Sequence, residues 1–176
     1  MKKIGLITLV LASLAAVPAF AQTATTNVPV SANIANTCTI SNAPVLLGAY
    51  DPVVTNDTVP KDGSGSVTIT CTRGAVTSVS LGLGQNPVAT QRQMSDGAAP
   101  PSFMAYELYQ PPNNTPGAAC SYTGAAFWRD TVGNLFTPAT APSRAARTYN
   151  ICGRIAAGQD LPSGNYSDLV LATVNF

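Results

Sequence analysis

From residue 22 onward, apolar and polar positions alternate in short runs separated by turn residues. Val28, Val30, Ala32 and Ile34 fall on one face of an extended segment. Val67, Ile69 and Cys71 alternate with threonines, and Val79, Leu81 and Leu83 alternate with Ser80, Gly82 and Gly84. Ala105 to Gln110 and Thr148 to Ile155 carry the same period of two. The last run, Leu169 to Phe176, sets Val170, Ala172, Val174 and Phe176 on one face and Leu169 and Leu171 on the other. A strand that is apolar on both faces needs cover on both, so something is expected to lie over the end of the chain. No 3.6-residue period competes with these runs. Fourteen glycines and fourteen prolines punctuate them, and the segments Val53 to Ser66, Pro111 to Gly117 and Pro138 to Ala146 read as connections. Many short strands between turn clusters predict an all-β sandwich or barrel, with no linker that would divide it.

The first twenty-one residues follow another pattern. Lys2 and Lys3 precede an apolar stretch from Ile4 to Val17, and Ala19-Phe20-Ala21 supplies a small-x-small ending. This is the layout of a cleavable secretory signal over residues 1–21. Cleavage would leave a chain starting at Gln22, with no membrane span after it.

Composition sharpens this picture in three ways. Only 10% of the residues are charged, against about 25% in an ordinary soluble domain, and Thr, Ser, Asn and Gln carry the polarity instead. Such a surface suits repeated packing against copies of itself. Nine basic residues stand against eight acidic ones, and two of the nine lie in the leader. This near-neutral balance offers nothing for nucleic acid or an anionic membrane. Cys38, Cys71, Cys120 and Cys152 are an even set behind an export signal, which reads as disulfides. Of the three pairings, spacing favours Cys38–Cys71 with Cys120–Cys152. A metal centre is not expected, since no C-x-x-C spacing occurs and the chain has no histidine.

Catalytic chemistry finds little to work with, and no cofactor site is expected. Without histidine there is no Ser-His or Cys-His dyad. Asp51, Asp96, Asp130, Asp160 and Asp168 each sit beside turn-forming residues and read as turn residues rather than as paired acids. Asp51, Asp57 and Asp62 share a loop but not the spacing of a calcium loop. Gly82-Leu83-Gly84 lacks the third glycine of a dinucleotide site. Trp128 is expected in the core, with a sugar-binding platform as its alternative role. Arg147 and Arg154, on either side of Tyr149, are expected to stack or pair locally.

The segment GRIAAGQDLPSGNYSDLVLATVNF, Gly153 to Phe176, resembles the C-terminal signature of the spore coat protein U domain family. Supporting matches lie upstream in order: Cys38, Tyr50-Asp51-Pro52, Ser80 to Gly84, Arg92 with Met94, Tyr106 to Tyr109, Trp128 to Asp130, and Arg147 to Tyr149. Together they span essentially all of residues 22–176. Members of that family look like subunits of archaic chaperone–usher pili. The resemblance therefore implies an incomplete immunoglobulin-like, pilin-type β-sandwich over residues 36–176, completed by a donated strand. It implies that residues 22–35 are the donor, with Val28, Val30, Ala32 and Ile34 entering a neighbour's groove. The strand bearing Val170, Ala172, Val174 and Phe176 would border the matching groove. Pro29, which has no N–H, fits such a ladder only where that side faces outward. The implied partners are a periplasmic chaperone, an outer-membrane usher and neighbouring subunits. The implied destination is a cell-surface fimbrium that supports adhesion and biofilm formation. A secreted carbohydrate-binding β-domain and a spore or cell coat protein are the alternative readings.

Overall fold

Strand alternation decides the architecture. In the computed structural model, which describes residues 21–176, Val67, Ile69 and Cys71 point inward from one strand and Tyr149, Ile151 and Ile155 from its neighbour. Seven strands form: β1 Cys38–Leu46, β2 Lys61–Cys71, β3 Ser78–Leu81, β4 Arg92–Ser95, β5 Phe103–Tyr109, β6 Arg147–Ile155 and β7 Ala172–Asn175. Five make an antiparallel sheet in the order β1-β2-β6-β5-β4, and β3 pairs with β7 in a second sheet. Phe136 exchanges both backbone hydrogen bonds with Val79, at 2.8 and 3.0 Å, adding a rung on the far side of β3. The protein is all-β, and no helix among the described residues is long and apolar enough to cross a membrane. The expected signal peptide lies almost wholly outside the described residues.

The compact unit spans Ile34–Phe176. Its core joins the inward faces of both sheets to Trp128 and Phe136, from the long connection between β5 and β6. Trp128 is fully buried, and its indole N–H donates to the Val79 carbonyl at 2.8 Å. It therefore cannot serve as the exposed sugar platform considered above. Its ring packs 5.0 Å from Phe136, which meets Tyr149 at 4.9 Å.

Arg92 fastens the two sheets together. Its guanidinium is fully buried, donating to the carbonyls of Leu81, Gly82 and Trp128 and to Glu107. The other Glu107 oxygen accepts from Arg129 at 2.9 Å. Arg154 pairs with Asp62 at 2.6 and 2.8 Å and lies over the Tyr122 ring, so its role is local pairing.

Two disulfides join Cys38 to Cys71 and Cys120 to Cys152. The first links directly opposed residues of β1 and β2. The second ties the β5–β6 connection to a fully buried position of β6. Its 32-residue span corresponds to roughly 3–4 kcal/mol of lost chain entropy in the unfolded state. Replacing Cys120 and Cys152 together by alanine is expected to lower stability by about that amount, read as a fall in the urea midpoint at unchanged slope.

Several elements depart from the sequence reading. Residues 21–37 form no strand, and the side chains of Val28, Val30 and Ile34 are 76%, 92% and 83% exposed. The last strand is shorter than Leu169 to Phe176, because only Ala172–Asn175 has a ladder partner. Leu169 and Leu171 are left largely in solvent. The connection starting at Val53 ends at Lys61, since Gly63 and Gly65 pair with Gly153 and Ile151 of β6. Strands β1 and β4 carry no apolar alternation that would have marked them.

Candidate functional site: an open groove between β1 and β7

The two sheets fail to close along one side. Strand β1 is the edge of the large sheet and pairs only with β2, while β7 pairs only with β3. Each keeps a row of backbone groups without a ladder partner. Between them runs a groove of about 360 Å³ whose floor is the core itself: Leu81, Met94, Tyr106, Leu108 and Ile151. It continues into a wider cleft of about 850 Å³ lined by Tyr50, Met94, Met104, Ile155, Leu161 and Tyr166.

Glycines shape the first wall. A bulge interrupts the β1–β2 register between Ala43 and Leu46. There β1 closes onto β2 so tightly that a Cβ at Gly63 would lie 2.2 Å from the Leu46 carbonyl oxygen, and one at Gly65 2.7 Å from Pro44. Val45 then passes over Gly153, where a Cβ would meet its side chain at 2.7 Å. This bend brings Pro44, Val45 and Leu47 to the groove.

The opposite wall is the segment from Tyr166 into β7. Tyr166, Asp168, Val170, Ala172 and Val174 alternate inward although only the last part is paired. Ser167 exchanges two backbone hydrogen bonds with Ser95 of β4, at 2.9 and 3.0 Å, anchoring the start of this wall to the large sheet. Asp168 holds it to the floor. One carboxylate oxygen accepts the Tyr106 hydroxyl at 2.6 Å, and the other accepts the backbone N–H groups of Gln85 and Leu169 at 2.8 Å each. Gly84, at φ +84°, permits this approach, because a Cβ there would fall 1.8 Å from Asp168. Burial, and then the bond to Asp168, raise the Tyr106 hydroxyl above the usual tyrosine range, so it remains a donor at neutral pH.

The resemblance-derived residues fall as follows. Val170 and Ala172 line the groove, Val174 is half-buried against the core, and Phe176 is exposed and outside the lining. Ala32 is exposed, as are Val28, Val30 and Ile34. The β1 wall escaped the sequence reading because Ser41 to Pro44 breaks any alternation. Asp168 was legible only as a turn former, since its partner Tyr106 is far away in sequence.

Two of the remaining acids are occupied locally. Asp51 accepts from the backbone N–H groups of Val53 and Val54, which pulls its pKa down, and Asp96 does the same with Ala98 and Ser102. Among the described residues no group of three acids, histidines or cysteines is placed to hold a metal ion. The groove is a largely apolar trough between two unpaired strand edges, and its one acid, Asp168, is already engaged by Tyr106, Gln85 and Leu169. Its chemistry fits an extended apolar segment better than a small charged ligand.

Comparison with known proteins places the chain. The model of the spore coat protein U domain matches residues 24–173. Protein U of Myxococcus xanthus is 30% identical over 177 residues, covering 90% of this chain and 88% of that protein. A distant structural likeness is to the crystal structure of the CsuC–CsuE chaperone–tip adhesion subunit pre-assembly complex from archaic chaperone-usher Csu pili of Acinetobacter baumannii. It has a TM-score of 0.48 at 20% identity over 81% of this chain. The chain spans 40% of the length of that solved chain, and so remote a likeness carries no functional weight. The family match over residues 24–173 does: the chain belongs to the spore coat protein U domain family.

Proposed function

We propose that this protein is a structural subunit, not an enzyme, of a secreted surface fibre of the chaperone–usher class, assembled by donor-strand exchange. The single observation that carries the reading is the groove between β1 and β7, where two unpaired strand edges flank an uncovered part of the core. An extended segment laid there would hydrogen-bond to a free edge while alternate side chains fill the trough, which is strand addition to an open sheet. Residues 22–35 have the complementary pattern, with apolar side chains every second residue from Val28 to Ile34. Burying Val28, Val30 and Ile34 would contribute roughly 1.5–3 kcal/mol each, before the cost of ordering the segment.

In this reading the donor segment of one subunit fills the groove of the next. A periplasmic chaperone occupies the groove beforehand, and an outer-membrane usher passes the subunit to the surface. The resulting fimbrium supports adhesion and biofilm formation. Residues 36–176 are the acceptor domain.

A charge in the donor face tests this. Val30→Asp and Ile34→Asp are each expected to reduce detergent-resistant polymer at least about tenfold, the scale of leaving an unpaired carboxylate in an apolar site. Thr25→Asp, outside the alternating run, is the control and is expected to leave polymer yield unchanged. Equal yields from all three variants would remove residues 28–34 from the groove.

A further inference from the structure

The sequence holds three methionines: Met1, Met94 and Met104. The second and third stand directly opposite each other across β4 and β5. Both line the wider cleft, and Met94 lines the narrower groove as well. Every methionine after the leader is thus at the floor of one site.

Their neighbours there are far less adjustable. The Tyr106 hydroxyl is held by Asp168, the Tyr50 hydroxyl shares its one proton between the carbonyls of Asn56 and Ala156, and the Tyr166 hydroxyl donates to the Pro162 carbonyl. Ile151 and Ile155 are β-branched and stiff at χ1. A methionine side chain is unbranched, with three rotatable bonds and a polarisable sulfur, and it reshapes to fill irregular space. Two of them face to face make the most adjustable part of a trough otherwise lined chiefly by leucine, isoleucine, valine and tyrosine.

We propose that Met94 and Met104 determine side-chain specificity: they let the groove accept donor residues of different size at the position lying over them. The inference rests on the donor-strand reading above and commits to its occupant, the Val28–Ile34 segment of a second copy of this chain. That segment leaves its large apolar side chains in solvent, and its residues range from alanine to isoleucine.

The test uses the complete chain, which carries both donor and groove. Val28→Phe, Val30→Phe, Ala32→Phe and Ile34→Phe are introduced singly, with the native groove and with Met94→Leu/Met104→Leu. Polymer yield is read as detergent-resistant ladders in a host that supplies chaperone and usher. With the native groove, at least one phenylalanine donor is expected to assemble within about threefold of the native donor, because the methionines give way. In the leucine background, with each yield taken relative to the native donor in that same background, that donor is expected to fall at least about tenfold further, since leucine has a similar volume but cannot reshape as methionine does. Should the double variant not accumulate, Met94→Leu and Met104→Leu alone carry the same comparison. Identical losses in both backgrounds at all four positions would overturn the proposal and leave the donor-strand reading standing. Undiminished polymer from a chain lacking residues 22–35 would overturn both.

Discussion

Replacement of Arg92 by methionine is expected to destabilise the domain by about 3–5 kcal/mol, the range for breaking a buried ionic network by removing one partner. The guanidinium is fully buried and ends four interactions at once: with Leu81 and Gly82 at the end of β3, with Trp128, and with Glu107 on β5. Burial lowers its pKa below the ordinary arginine value, yet arginine stays protonated in proteins. Methionine keeps much of the stem but leaves three carbonyls in the core without this donor, each costing about 1–3 kcal/mol when unsatisfied. Glu107 retains Arg129 at 2.9 Å, which limits the loss. Lysine is not expected to rescue, because one ammonium cannot reproduce the planar fork. Urea unfolding of the purified chain measures the effect. A loss below about 1 kcal/mol, the scale of an exposed ion pair, would show that the two sheets do not depend on this fastening.

Removal of residues 22–35 is expected to abolish polymer while leaving chaperone binding intact. The deletion takes away the donor but touches neither β1, the Tyr166–Val174 wall nor the floor. The groove would still accept a strand from the chaperone, and the truncated subunit would become an end point that accepts no further growth through itself. Co-purification with the chaperone and detergent-resistant ladders separate the two outcomes. Loss of chaperone binding together with polymer would place the deleted residues in the fold of their own domain instead.

How far the fold was legible depends on which residues carried the signal. Strands β2, β5 and β6 announced themselves, because Val67, Ile69, Tyr106, Leu108, Tyr149 and Ile151 alternate over a half-buried sheet. Strand β1 did not, since its Ser41-Asn42-Ala43-Pro44 stretch has no apolar alternation and stays exposed at the open groove, and its place is set by Gly63 and Gly65 on the neighbouring strand. Strand β4 is short, and its buried Arg92 reads as polar from sequence although it lies in the core. The end of the chain was read as one strand from Leu169 to Phe176 because its side chains alternate, and in the structure that alternation starts at Tyr166. Its continuous ladder begins only at Ala172, after the single bridge of Ser167 to Ser95, since side-chain period reports facing and not pairing. Alternation put Val170 and Ala172 on one face, but a groove beside them was implied only by the family resemblance. The Tyr106–Asp168 bond and the Met94–Met104 pair arise from contacts distant in sequence or across strands, which no local pattern encodes.

The central claim is that the Val28–Ile34 segment of one copy occupies the β1–β7 groove of another. The most direct measurement places a photo-crosslinking residue at Val30 in fibres grown from an equal mixture of ordinary and heavy-nitrogen chains. Crosslinked peptides are then identified by mass spectrometry. The expected products join residue 30 to the Ile40–Leu47 or Tyr166–Val174 region and contain mixed-isotope pairs, as required of a link between molecules. Products confined to single-isotope pairs, or mapping to any surface other than these two walls, would contradict the assignment.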